Sequence, residues 1–416
     1  MCGIAGFQGR SAVDVAAMTR AIAHRGPDAD GHKHLVREGS EIHTQLGHRR
    51  LSIIDLSAKS NQPMTNPCAK CGTRSTAADS ERDWIVFNGE IYNYRELRGQ
   101  LSQQGHTFET ASDTEILLHL FDEYGLDMFN RLNGIFAFAV YSGAKDRPAL
   151  GLKQGDLMLA RDHLGVKPLY YAETPGGLYF ASEVKALTAA GLRFGPNLDV
   201  LRQFMTFLYG MAPDTPYEGV SKLEPGEVVV IRDGRLARKS SFYRLPFSRS
   251  YSRLSYGEAV AETERQVSAA VTRQMVADVP VGAFLSGGVD SSLVVAKAIG
   301  ESGGRGIDCF TILDSTRPEG ALDDNHFAHE FAKKRGIRLH DVPVKPSSLD
   351  LLEKVIYHMD EPHADVAAIN SYLICQAASR QGTKVLLSGL GGDDVFSGYP
   401  RHRAATSKEC AAGLPP

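Results

Sequence analysis

The sequence contains no long apolar run. Its longest is seven residues, Ile135 to Tyr141. A helix crossing a bilayer needs about 20, so a membrane partner is not expected. The first ten residues lack a basic start followed by an apolar stretch, and no secretory signal is read there. Cysteine is scarce: six in 416 residues are too few for a disulfide framework, which points to a cytoplasmic chain with reduced thiols. Nor is charge of one sign in excess. With 46 basic and 49 acidic side chains the formal charge is −3, so no bulk field draws the chain to nucleic acid or anionic lipid. Gly at 41 and Pro at 19 are close to ordinary usage, against collagen-like or broadly disordered structure. What is left is a globular composition, long enough at about 150 residues per domain for two or three domains.

Strand-like runs alternate with helical stripes. Val15, Met18 and Ile22 recur at helical spacing. Asp113-Thr-Glu before an apolar run predicts a capped helix ending at Gly125. Trp84–Phe87, Ile135–Tyr141, Leu157–Arg161 and Leu178–Ser182 read as strands. To about residue 215 the texture is strand-rich layers with helices outside. Residues 216–255 are expected to be a linker. Between residues 232 and 253, Arg232, Arg235, Arg238, Lys239, Arg244, Arg249 and Arg253 stand against one acid, Asp233. A solvated connector is favoured over a nucleic-acid arm, because no stacking aromatics are regularly interleaved. From Tyr256 a long helix to Ala277 leads into strand–helix units. Val281–Leu285, Cys309–Ile312 and Val385–Leu387 are candidate parallel strands of a doubly wound α/β sheet. Thr406 to Pro416 carry no core pattern and are expected to fray.

Cys2 follows the initiator Met. Removal of Met1 would leave Cys2 with an α-amine of pKa about 7.7–8.0, able to take the thiol proton, so one residue supplies nucleophile and base. The plain alternative is a small buried hydrophobe. Arg50 could clamp a carboxylate, and Glu90 with Asp113 could hold an α-ammonium. The Asn88 amide and the Gly89 N–H could stabilise a tetrahedral oxyanion. Singly, each has a bland reading as a turn, a surface ion pair or a helix cap.

Together, Cys2-Gly3-Ile4-Ala5-Gly6, His24–Asp28, Gly47–Ile53, Asn88–Asn93, Arg161–Gly165, Lys167–Tyr170 and Ser182–Leu187 resemble the glutaminase domain of class II glutamine amidotransferases. The resemblance implies an α/β/β/α sandwich of the N-terminal nucleophile type. It assigns Cys2, Asn88 and Gly89 to catalysis through a γ-glutamyl thioester. Glutamine would be bound by Arg50, Leu51, Ile53, Ile54, Asn88, Gly89, Glu90 and Asp113.

Cys68 and Cys71 form a Cys-x-x-Cys pair, and His43 with His48 adds an upstream histidine spacing. Zinc is the sharper reading. With His48 inside a glutaminase motif and no second cysteine pair, a polar hairpin insertion with two incidental thiols is expected instead.

In the second half, Leu285-Ser286-Gly287-Gly288-Val289-Asp290-Ser291-Ser292 follows a strand and opens a helix. The glycines admit a ligand close to the backbone, while hydroxyls and helix N–H groups donate to an anion. Asp290 can hold Mg²⁺. No Gly-Lys dipeptide occurs, so this is not a Walker A loop. The string resembles that of the ATP pyrophosphatases, and Leu387–Phe396 supplies a second match in which Asp393 is the second Mg²⁺ ligand.

Both halves in this order, with Asp278–Gly288 and Asp360-Glu361-Pro362, resemble the glutamine-hydrolysing asparagine synthetase family. The resemblance places Leu285 and Ile312 at the adenine and Ser388 and Gly389 near the ribose or phosphates. Glutamine, ATP and an acceptor carboxylate are the expected partners, with a homodimer as the candidate assembly. The implied domains are 2–215, glutaminase, and 256–416, synthetase. Two departures stand out. Leu390 occupies a position where the family usually has Asp or Glu, which draws aspartate as acceptor into question. And only 20 residues follow Phe396 where synthetase domains continue, so this half reads as truncated. A different acceptor, a glutaminase-only fragment and a tRNA-modifying ATP pyrophosphatase are the competing readings.

Overall fold

The computed structural model describes residues 1–72, 76–246, 253–303, 306–314, 324–365, 367–399 and 402. The expected frayed end from Thr406 lies outside them. The chain forms two compact units, one of residues 1–250 with 356–364, the other of residues 251–355 with 365–416.

The first unit holds eleven strands among the described residues. They are β1 (Gly3–Gly9), β2 (Ala29–Val36), β3 (His43–Arg50), β4 (Trp84–Ile91), β5 (Gly134–Tyr141), β6 (Leu157–Arg161), β7 (Tyr170–Thr174), β8 (Gly177–Ala181), β9 (Ser221–Lys222), β10 (Glu227–Arg232) and β11 (Arg235–Ser241). They make two antiparallel sheets, ordered β2-β3-β1-β8-β7-β9 and β11-β10-β6-β5-β4. The helices are α1 (Val15–Ala21), α2 (Tyr94–Gln103), α3 (Asp113–Tyr124), α4 (Val184–Ala189) and α5 (Leu198–Phe207).

Period-two alternation places each side chain of β1. Ile4 joins Val86, Ala139, Leu159 and Phe180 in the core between the sheets. Ala5 and Phe7 turn the other way, onto Met18 and Ile22 of the α1 region and Ala186 and Leu187 of α4. With α2 and α3 packed together and α3 against β4, the layers run α/β/β/α, as expected. The stripe at Val15, Met18 and Ile22 is the buried face of α1.

The stretch expected as a linker is instead structured as far as Ser241. Val228, Val229 and Ile231 of β10 are buried, and β10 pairs with both β6 and β11. Its basic residues are committed locally. Arg232 bonds Asp156 at 2.6 Å, Arg235 reaches Glu173 at 3.2 Å, and the Lys239 ammonium donates to the Tyr171 hydroxyl at 2.6 Å. Counting charges in a row concealed partners that are distant in sequence.

The second unit is built on α6 (Tyr256–Gln274), β12 (Val281–Phe284), α7 (Val289–Glu301), β13 (Asp308–Asp314), α8 (Asp324–Arg335), β14 (Arg338–Val344), α9 (Leu352–Met359, shared with the first unit), α10 (Ala367–Arg380), β15 (Val385–Leu387) and α11 (Gly392–Phe396). Ser255 and Glu258 close a capping box at the start of α6. The four strands are parallel in the order β14-β13-β12-β15. The chain therefore winds outward from β12 through β13 to β14 and returns to the other side of β12 as β15. The reversal lies between β12 and β15, where ligands bind in sheets of this kind.

Candidate active site

Cys2 sits immediately before β1, the third strand in its sheet. Its thiol lies 3.4 Å from the Leu51 N–H, which donates to it, and burial pushes the thiol above its ordinary pKa. Arg25 holds the Cys2 carbonyl through Nε at 2.9 Å. Arg25 in turn bonds Glu183 at 2.7 Å, and Lys185 bonds the same carboxylate at 2.6 Å. On its other side Lys185 reaches Asp360 at 2.7 Å. This support was not read from sequence, although Arg25, Glu183 and Lys185 all fall within the motifs quoted above.

One pocket gathers Cys2, Arg50, Leu51, Ile53, Ile54, Gly89, Glu90 and Asp113, joined by Ser60, Gln62, Phe87, Ser112 and Thr114. Strand β4 and the start of α3 position the acidic pair. Asp113 opens α3 behind the N-cap Ser112, and its carboxylate accepts the Ile91 N–H at 3.0 Å. Burial pushes Asp113 up to about 6 despite that bond. Glu90 is raised by burial and, next, by the charge of Asp113. Lys167, buried and absent from the expected site, is lowered to about 8 by burial and by nearby Arg25.

Asn88 is wholly buried, and neither its amide nitrogen nor its amide oxygen has a hydrogen-bond partner. Unlike its neighbours Phe87 and Gly89, Asn88 is not itself among the residues lining the pocket. An unmet buried amide costs roughly 1–3 kcal/mol, so this arrangement favours a ligand that satisfies it. A Cβ on Gly89 would lie 2.2 Å from the Ile135 carbonyl oxygen, so the β4–β5 pairing admits only glycine there.

Arg50 departs from the expected free clamp. One terminal nitrogen donates to Ser57 O and Asn61 Oδ1, both at 2.8 Å. The other donates to Ile54 O at 3.4 Å and to Asp55 O. The guanidinium shapes the loop after β3 as well as lining the pocket.

In the second unit, Leu285, Ser286 and Ile312 line one cleft with Phe284, Phe310, Thr311, Asp324, Asn325, Asn370 and Ile374. The polar lining from Thr311, Asn325 and Asn370 went unread, because its members come from three separate segments. The other loop residues, Gly287, Gly288, Asp290, Ser291, Ser292, Ser388 and Gly389, lie outside that lining but next to one another. Ser286 and Ser291 hydroxyls meet at 2.9 Å. Gly288 caps α7 without a side-chain bond, leaving its first N–H groups available to an anion. Gly287 has φ +89°, and a Cβ there would lie 1.9 Å from Asp324 O. A Cβ on Gly389 would lie 2.7 Å from Ser291 N, and one on Gly392 2.2 Å from Asp290 Oδ2. The loops after β12 and β15 therefore abut at the point of strand reversal.

The glutamine amidotransferase domain family matches residues 1–243, and the asparagine synthase family matches residues 262–416. The chain is 36% identical over 392 residues to asparagine synthetase [glutamine-hydrolyzing] 1 of Bacillus subtilis, covering 94% of this chain and 56% of that protein. It is 32% identical over 414 residues to a putative asparagine synthetase [glutamine-hydrolyzing] 2 of Methanocaldococcus jannaschii, covering 97% and 76%.

The chain belongs to the asparagine synthetase family.

A relative from Penicillium rubens, 31% identical over 92% of this chain and 54% of its own length, is named amidase chyE. The chain thus spans little more than half the length of several of the relatives it matches. Among the described residues no helix is long and apolar enough to cross a membrane.

The two thiols expected to be incidental lie in a buried group with two histidines. Cys68 and Cys71 are 1% and 4% exposed and face His106 and His119. His43 and His48 lie elsewhere: His43 stands 2.9 Å from His34, and His48 bonds Phe87 O.

Proposed function

We propose that the chain is an ATP-dependent amidotransferase that takes ammonia from glutamine and transfers it to an adenylated carboxylate. The observation that carries the first half is the unmet Asn88 amide beside a pocket containing Cys2, Glu90 and Asp113. Loss of Met1, which is exposed, frees the Cys2 amine. The thiol proton passes to that amine, sulfur attacks the amide carbon, and Asn88 with the Gly89 N–H receives the oxyanion. The carbon–nitrogen bond breaks as the proton moves to the departing nitrogen, releasing ammonia. Water then cleaves the thioester to glutamate. Glu90 and Asp113 take the substrate ammonium, and Arg50 takes its carboxylate in exchange for loop carbonyls.

ATP is assigned to the second unit, with adenine between Leu285 and Ile312 and phosphates on Ser286, Gly287, Gly288, Ser291, Ser292, Ser388 and Gly389. Asp290 and Asp393 suit Mg²⁺, since both offer hard carboxylate oxygens and Gly392 brings the first turn of α11 against Asp290. Bound there, Mg²⁺ would neutralise phosphate charge.

The acceptor is aspartate in the first reading, giving asparagine, AMP and pyrophosphate. A different carboxylate is the second reading. It is favoured by Leu390, 90% exposed, where the family usually carries a charge, and by a relative named as an amidase. The test is AMP and pyrophosphate release from ATP·Mg²⁺, with ammonia or glutamine as nitrogen source. Cys2→Ala should abolish glutamine use and leave the ammonia-dependent reaction. Equal loss of both overturns the division of labour, and AMP formation without asparagine selects the second reading.

A further inference from the structure

Four side chains from three separate segments converge in the first unit. Cys68 and Cys71 come from the loop before β4, His106 from the turn between α2 and α3, and His119 from the middle of α3. Their ligand atoms all lie within 4.8 Å of one another, and all four residues are buried. The Cys71 Sγ stands 3.4 Å from His106 Nδ1 and 3.3 Å from His119 Nδ1. Cys68 Sγ is 3.8 Å from His106 Nδ1, and the two Nδ1 atoms are 3.1 Å apart. A tetrahedral zinc with Zn–S of about 2.3 Å and Zn–N of about 2.05 Å requires S···N near 3.5 Å and N···N near 3.3 Å. These four observed spacings lie within about 0.3 Å of those values.

Proton placement strengthens the case. His106 Nε2 lies 3.0 Å from a Glu123 carboxylate oxygen, so it carries the proton and leaves a lone pair on Nδ1. His119 Nε2 has no hydrogen-bond partner, and the Glu115 carboxylate stands 3.8 Å from it. The His106 Nδ1 lone pair is thus turned toward His119 Nδ1 at 3.1 Å, where a cation between the two nitrogens would satisfy both. A carboxylate on the outer imidazole nitrogen is also the usual support of a zinc-bound histidine. Asn66 Nδ2 lies 3.6 Å from Cys71 Sγ, toward which it donates, and 3.3 Å from His119 Nδ1. Two thiolates, two neutral imidazoles and Zn²⁺ sum to zero charge, so the closed cluster is compatible with burial.

We infer that Cys68, Cys71, His106 and His119 bind a structural zinc ion that fastens the loop of residues 66–72 to α3, the helix whose first turn carries Asp113. All four positions are protein ligands, so no site is open for catalysis.

The test begins with the full chain purified without chelators under reductant. Elemental analysis is expected to give about one zinc per chain, and X-ray absorption a first shell of two sulfurs and two nitrogens. Replacement by Co²⁺ should give the intense visible bands of a tetrahedral thiolate site. Cys71→Ser should lose the metal; if that variant does not fold, His119→Cys, which keeps four ligands, should retain it. A chain that binds no zinc even after reconstitution, a first shell without sulfur, or a Cys68–Cys71 disulfide in anaerobically prepared protein would each overturn the assignment.

Discussion

Replacing Glu183 by Gln tests whether the charge network behind Cys2 holds the first unit together. Glu183 is 5% exposed and accepts from Arg25, Lys185 and His24. Lys185 keeps Asp360 at 2.7 Å, so the substitution leaves one buried charge, Arg25, without its carboxylate. Removing one partner of a buried pair costs about 3–5 kcal/mol; with only Arg25 stranded, the lower end is expected. The single tryptophan, Trp84, lies in the core between the sheets, so its fluorescence reports this unit alone in a urea titration of the full chain. At roughly 3 kcal/mol per M of urea, a loss of about 3 kcal/mol lowers the midpoint by about 1 M.

Arg25→Met in the Glu183→Gln background should recover part of the loss, giving a coupling energy in a double-mutant cycle. The pH dependence has a definite sign. Burial alone would raise the Glu183 carboxyl, but bonds from His24, Arg25 and Lys185 hold it well below its ordinary 4.5. A depressed folded pKa stabilises above the unfolded value and is lost as pH falls through the folded one. The gap between wild type and variant should therefore be constant from pH 8 to about 5 and shrink below about 4.5. A midpoint shift below about 0.3 M at neutral pH, equivalent to about 1 kcal/mol, or strictly additive single variants, would refute the reasoning.

Two further outcomes follow from the glutamine pocket. Asp113 must be ionised to hold an ammonium, and burial raises it to about 6. The KM for glutamine should be flat above that pH and rise toward tenfold per unit below it, while Asp113→Asn should raise KM and flatten the profile; an unchanged wild-type KM at pH 5 would contradict this. Gly89→Ala puts a methyl 2.2 Å from Ile135 O and 2.7 Å from Phe136 Cα. Since both are backbone atoms of β5, β4 must shift, and kcat for glutamine hydrolysis should fall by about 10²–10³. Wild-type turnover in a glutamate-release assay would remove Gly89 from the oxyanion site.

Local pattern was enough for much of this molecule. The strands at Leu157–Arg161 and Val385–Leu387, the helix from Asp113 to its Gly125 cap and the long helix from Tyr256 were legible because period and capping are short-range properties. So was the grouping of Cys2, Arg50, Leu51, Ile53, Ile54, Gly89, Glu90 and Asp113, which lie in a few contiguous motifs and line one pocket. Other features are contacts between residues far apart in the chain. The basic run after Ile231 became a sheet edge once Asp156, Glu173 and Tyr171 were beside it. Arg50 was occupied by a loop that only the fold closes. The thiols at Cys68 and Cys71 gained meaning when α3 brought His119 to them from 48 residues away. By itself the sequence determined the order of elements and the chemistry of each motif, since these depend on neighbours along the chain. Only the tertiary structure decided which charges are paired, which amide is left unmet and which four ligands share one point. Those are properties of distance in space, and one residue type carries them or not according to what the fold places beside it.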